Sequence, residues 1–135
     1  MKACKMILLI IFFSGAVPCT YSQDKVSKDK IKSIIVFEEK YDVLVKKQLK
    51  ESETLFDPQG NVLEEIKYDQ GKVIKHFKYQ YDSDGNKIKE EELDPSGRVK
   101  ESSEYKFENG LRVEKIVYDQ NKKIKSKKIY NYTKF

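Results

Sequence analysis

Tyr68-Asp69-Gln70-Gly71, the run Lys72 to Gln80, then Tyr81-Asp82-Ser83-Asp84-Gly85: this stretch reads as turn, strand, turn. Asp at the head of a turn can accept hydrogen bonds from backbone two residues on, and glycine supplies the positive φ that closes a tight hairpin. The run between the two phrases is too short for an independently stable helix and favours aromatic and β-branched residues. The same phrase, a large apolar residue followed by an acid and a turn, recurs outward from here. It appears at Phe56-Asp57-Pro58-Gln59-Gly60, Leu93-Asp94-Pro95-Ser96-Gly97, Phe107-Glu108-Asn109-Gly110 and Tyr118-Asp119-Gln120-Asn121. Alternate phrases lie about 25 residues apart: Phe56, Tyr81, Phe107 and Tyr132 in one register, Tyr68, Leu93 and Tyr118 in the other. Each repeat is therefore two strands and two turns.

The structural turn positions read from this pattern are Asp57, Gly60, Asp69, Gly71, Asp82, Gly85, Asp94, Gly97 and Gly110. Upstream, Ser33 to Glu39 and Val43 to Phe56 read as an earlier hairpin, turned at Glu39-Lys40-Tyr41-Asp42. Residues 43–50, Val43-Leu44-Val45 followed by Lys46-Lys47-Gln48-Leu49-Lys50, can alternatively start a helix. The fold class expected is all-β: an antiparallel meander of about eight strands, an open single-layer or curled sheet. No helical segment is on hand to cover it, so stability would come from stacked repeats.

Taking Gln70-Gly71 as a two-residue loop sets Tyr68 opposite Val73, Ile66 opposite Lys75, Glu64 opposite Phe77 and Val62 opposite Tyr79. That register gathers Val62, Ile66, Tyr68, Val73, Phe77, Tyr79 and Tyr81 on one face. By the same alternation Val99, Tyr105 and Phe107 share a face, as do Ile124, Tyr130 and Tyr132. The strand from Asn86 to Leu93 breaks the rule, because Ile88 and Leu93 fall on opposite sides. Lys122, Lys123, Lys125, Lys127 and Lys128 would discourage pairing at the last edge.

The chain begins with Lys2 and Lys5, the apolar run Met6 to Phe13, and small or turn-forming residues from Ser14 to Ser22. This is the pattern of a secretory signal peptide over 1–22, with cleavage expected after Ser22. The alternative is lipoprotein processing at Cys19, where Pro18 stands in place of the small residue a lipobox wants. Residues 23–30, polar but for Val26, read as a flexible lead-in to a β-repeat domain over 31–135. An exported chain follows, periplasmic or secreted, with no transmembrane segment once the leader is removed. Cys4 and Cys19 both fall in the leader, so no disulfide or thiolate chemistry is expected after cleavage at Ser22.

Without Lys2 and Lys5, the 27 basic residues become 25 against 22 acidic ones, a net charge of +3 rather than +5. The lysines are mixed with glutamates, which argues against nucleic acid as a partner. No catalytic site is expected. His76 is the only histidine, read as a solvated strand residue, and zinc lacks ligands. Asp82-Ser83-Asp84-Gly85-Asn86 resembles the opening of a calcium loop, but Lys87 stands where such a loop needs glycine and Leu93 where it needs glutamate. Neighbouring strand carboxylates such as Glu64 and Glu65 point to opposite faces, so they do not converge for glycoside hydrolysis. No metal or cofactor is expected.

One constellation remains for recognition: Tyr68, Phe77, Tyr79, Tyr81, Tyr105, Phe107, Tyr118, Tyr130 and Tyr132. Tyrosines can stack on sugar rings or on a partner's apolar face while their hydroxyls stay wet. The alternative is that these rings only cover one another along the sheet. The expected function is an exported non-catalytic module that binds a glycan or a protein surface. The alternative is a structural, envelope-associated repeat protein that self-associates through sheet edges.

Tyr68-Asp69-Gln70-Gly71-Lys72-Val73 and Tyr81-Asp82-Ser83-Asp84-Gly85-Asn86 resemble the tyrosine-aspartate (YD) repeats of Rhs-type proteins. The resemblance spans about Thr54 to Phe135. It implies a secreted or surface-exposed β-rich chain of a kind whose long arrays build a shell or bind carbohydrate and partner proteins. With about three repeats, and with Leu93, Phe107 and Asn121 departing from the pattern, only the module-like role carries over. A weaker resemblance is to MORN-like repeats, built on Tyr-x-x-x-Gly phrases.

Overall fold

A computed structural model describes residues 23–41 and 45–135. The segment 1–22 expected as a leader, with both cysteines, lies outside the described residues, as do Asp42, Val43 and Leu44 of the first expected turn. The chain is all-strand. After one short helix, α1 (Gln23–Lys28), come β1 (Ser33–Tyr41), β2 (Lys46–Phe56), β3 (Val62–Asp69), β4 (Lys72–Tyr81), β5 (Lys87–Leu93), β6 (Val99–Glu108), β7 (Leu111–Asp119) and β8 (Ile124–Ile129). They form a single eight-stranded sheet in sequence order, each strand antiparallel to the next. The stretch from Lys46 that could have opened a helix is strand.

Two kinds of turn hold the meander. At Gln70-Gly71 (φ 49° and 79°) and Asn109-Gly110 (φ 52° and 76°), both central residues are left-handed, the type I′ geometry that matches strand twist. The turns from β2 to β3, β4 to β5, β5 to β6 and β7 to β8 are longer and built on an aspartate. The Asp57 N–H donates to the Asn61 carbonyl at 2.9 Å and Gly60 N–H donates back to the Asp57 carbonyl at 3.0 Å. Asp57 Oδ1 accepts from the Gln59 and Asn61 N–H groups at 2.9 and 2.8 Å. Asp82, Asp94 and Asp119 repeat this arrangement. Asp69 does not: it ends β3 paired with Lys72, and its carboxylate makes none of these bonds.

The last aspartate turn corrects the sequence reading. Lys122, at φ 60°, holds the left-handed place of Gly60, Gly85 and Gly97, so Asn121 is not the residue standing in for glycine. Asn121 matches Ser96 instead, each giving its N–H to the turn aspartate.

The register departs from strict alternation in every hairpin, at Glu51 in the first and always at the same place in the later ones. Tyr68 does face Val73, but Lys67 then faces Lys75, leaving Ile74 as an extra residue. Glu65, not Glu64, consequently faces Phe77. Leu63, Ile88, Lys100, Val113 and Lys125 are extra residues at the equivalent positions of the other hairpins. Each is a β-bulge one residue past the first pair opposite the large apolar residue of the turn phrase. Inserting one residue turns every later side chain to the other face.

Hence Phe77, Tyr79 and Tyr81 lie on one face, with Val62, while Ile66, Tyr68 and Val73 lie on the other. Val99 is likewise separated from Tyr105 and Phe107 by Lys100, and Ile124 from the residues after Lys125. The bulge at Ile88 also accounts for the strand that alternation could not place.

Little of the sheet is covered. Among the described residues the buried hydrophobics are Val26, Phe56 and Leu93. Val26 belongs to α1, so the segment expected as a flexible lead-in contains a helical turn that buries its one apolar side chain. Ile31 N–H bonds the Val26 carbonyl at 3.0 Å, Phe56 N–H the Lys32 carbonyl at 2.9 Å, and Ser27 Oγ the Pro58 carbonyl at 3.4 Å. These contacts fasten α1 to the end of the sheet where β2 turns into β3.

Candidate functional site

The aromatic residues singled out in the sequence divide into two sets. The ring face gathers Phe77, Tyr79, Tyr81, Tyr105 and Phe107, carried by β4 and β6. The rings of Phe77 and Tyr79 stack, 6.3 Å apart and 11° from parallel. Lys87 and Arg112, each the residue just before the bulge of its strand, face Tyr81 and Phe107. Lys87 Nζ lies 4.8 Å from the centre of the Tyr79 ring and 5.6 Å from that of Tyr105. The Arg112 guanidinium carbon lies 4.6 Å from Tyr105 and 5.6 Å from Phe107. Lys115 Nζ adds a third cation, 5.4 Å from Tyr105. Rings and cations alternate across the strands, and each such contact contributes about 0.5–1 kcal/mol where exposed.

Acids sit among them. Tyr105 Oη approaches Glu90 Oε2 at 3.4 Å, and Lys87 pairs with Glu90 at 2.5 Å. Burial first, then the charges of Glu65 and Glu90, push the Tyr79 phenol well above its ordinary range. The Tyr81 phenol is raised for the same leading reason, with Asp57 and Glu90 adding to it. Both stay protonated at neutral pH and serve as donors; Tyr81 donates to the Val62 carbonyl at 3.0 Å.

Tyr68 and Tyr118 are on the opposite face and do not join this array. Lys50 Nζ lies 4.9 Å from the Tyr68 ring, and Tyr118 donates to Glu104 at 3.3 Å. Tyr130 and Tyr132 follow β8, the Tyr130 N–H bonding the Val113 carbonyl at 3.0 Å and Tyr132 Oη the Arg112 carbonyl at 2.8 Å. Sequence reasoning did not find Lys87, Arg112 and Lys115. The signal was there: Lys87 and Arg112 stand 25 residues apart, each two residues past the glycine of its turn phrase.

His76 is not simply solvated. On the face away from the rings its Nε2 lies 2.6 Å from Glu64 Oε1, with only 15% of its side chain exposed. An open groove of about 820 Å³ lies between the Asp57 and Asp82 turns. The carboxylates of both residues are committed to their own turns. Among the described residues no group of three or more potential ligands could hold a metal ion, and no helix is long and apolar enough to cross a membrane.

No family model matches this sequence, and no curated protein matches it. Among solved structures it is similar to a glycine-to-arginine mutant of S. aureus TarM, crystallised with Fondaparinux, alpha-GlcNAc-glycerol and UDP. That similarity has a TM-score of 0.34 and 17% identity over 75% of this chain. The chain spans 22% of the length of the TarM chain. At that level the likeness carries no argument about activity.

Proposed function

We propose that this protein is an exported, non-catalytic β-repeat module whose ring face binds a glycan or a protein surface. The observation that carries the reading is the ladder Tyr79, Lys87, Tyr105, Arg112, Phe107, laid across four neighbouring strands of a sheet on which, among the described residues, no second layer packs. A sheet needs one covered face to gain hydrophobic stabilisation, and here the aromatic and cationic groups are left available to a partner instead. The secretory leader read from the sequence and the resemblance to YD repeats support the same role. Glycan-array and pull-down assays on residues 23–135 test it; absence of any ligand in both would overturn it.

A second reading is assembly through sheet edges. β1 and β8 are open edges that run antiparallel to each other, so a second copy could continue the meander without breaking its alternation. Ile35 and Phe37 on one edge, and Ile124 and Ile129 on the other, are exposed. Light scattering after size exclusion decides it: a strict monomer at high concentration removes this reading.

A further inference from the structure

On the ring face, Lys115 of β7 and Lys128 of β8 stand directly opposite each other. Like charges in that position repel. Elsewhere the same face relieves such pairs with a counter-charge. Glu92 faces Glu101, and Lys100 and Lys125 bind the two carboxylates at 2.6 and 2.5 Å. Lys67 faces Lys75, and Glu65 lies 3.4 Å from Lys67 Nζ.

Among the described residues, no ion pair forms at Lys115 or Lys128. Arg112 beside them has none either, and its Nε is buried without a hydrogen-bond partner. Arg112 and Lys115 therefore lie against the Tyr105 ring and Lys128 stands opposite Lys115, three cations of one face without an ion pair of their own.

We propose that this patch is an anion site for an acidic polysaccharide, a carboxylate or sulfate of which seats among Arg112, Lys115 and Lys128 while its chain crosses the strands. The proposal rests on the binding reading above and narrows its ligand class. The planar guanidinium suits either oxyanion, and the aromatic rings hold it in place. Lys115 and Lys128 are one strand apart, roughly 5 Å, so both can reach one oxyanion. A polysaccharide fits this face better than an acidic peptide does. A peptide lying across the sheet would bring its backbone N–H and C=O groups against side chains with no matching row of partners, whereas sugar hydroxyls can remain in water.

The test is titration of the full exported chain with oligogalacturonate, a sulfated dextran fragment, neutral dextran and poly-glutamate. The acidic saccharides should bind, more weakly as salt rises, and Arg112→Gln and Lys128→Glu should each weaken binding about tenfold or more. The two acidic saccharides together tell a carboxylate from a sulfate preference. Lys128→Glu also gives Lys115 an opposite charge as its neighbour, so its melting temperature should hold or rise as binding falls, which a misfolded variant would not show. Unchanged acidic-saccharide binding in that variant overturns the proposal. Poly-glutamate binding at least as tightly overturns it in favour of a protein-docking patch. Binding of neutral dextran alone overturns it while leaving the glycan-binding reading intact, and binding to no saccharide or protein removes both.

Discussion

Lys122 donates its backbone N–H to the Asp119 carbonyl at 3.0 Å with φ at 60°, the relationship Gly97 has to Asp94 at 2.9 Å and φ 82°. A lysine thus sits where the turn geometry favours glycine, and a left-handed side-chain residue carries a strain of roughly 1 kcal/mol. Lys122→Gly should raise stability by about 0.5–1 kcal/mol in urea unfolding. Asn121→Gly, one position earlier, should give no such gain. Equal effects from the two would place the left-handed residue elsewhere.

Gly85 and Gly97 have φ near 80°, and a Cβ added to either would meet nothing within 4 Å. The cost of substitution is therefore conformational and not steric. Gly85→Val and Gly97→Val should each lower stability by about 1 kcal/mol or more, with the corresponding asparagine variants well below that. Valine variants as stable as wild type in urea would contradict the positive φ.

The Asp94 carboxyl is held well below its ordinary range, foremost by the Ser96 hydroxyl and then by the Arg98 backbone N–H. Asp82 is lowered too, chiefly by the Asn86 side chain. A depressed folded value stabilises the protein above the unfolded pKa, near 4, and that stabilisation is lost as pH falls through the folded values. The urea midpoint should accordingly drop on acidification below about pH 4, and the drop should shrink in Asp94→Asn. A midpoint flat down to pH 2 would count against these turn bonds.

Tyr81 spans the β3–β4 pair through its bond to the Val62 carbonyl. Tyr81→Phe keeps the ring but loses this bond, and should lower stability by about 1 kcal/mol in urea unfolding.

Tyr79 and Tyr105 carry the ladder itself. Replacing both with serine should abolish binding if the face recognises a ligand, and should also lower stability by about 1 kcal/mol or more per residue through lost cross-strand contact and burial. Thermal unfolding and binding measured on the same double variant separate the roles. Stability lost from a protein for which no ligand is found leaves the rings as sheet cover only.

Much of the architecture is legible in the chain. Phrases such as Tyr81-Asp82-Ser83-Asp84-Gly85 mark each turn by residue type, because an aspartate that bonds its own turn and a glycine with positive φ are local requirements met within five residues. Eight strands in sequence order follow, since runs this short between tight turns can only pair with their neighbours. The faces could not be read the same way. Side chains alternate with a period of two, so one extra residue at Ile74, Lys100 or Lys125 moves Tyr68, Val99 and Ile124 away from the rings they were expected to join. Whether a hairpin takes up such a bulge depends on pairing between strands and not on any one strand's composition. For the same reason, only the tertiary structure decided that Lys87, Arg112 and Lys115 meet Tyr79 and Tyr105 across strand boundaries, and that Lys115 and Lys128 face each other without a counter-charge.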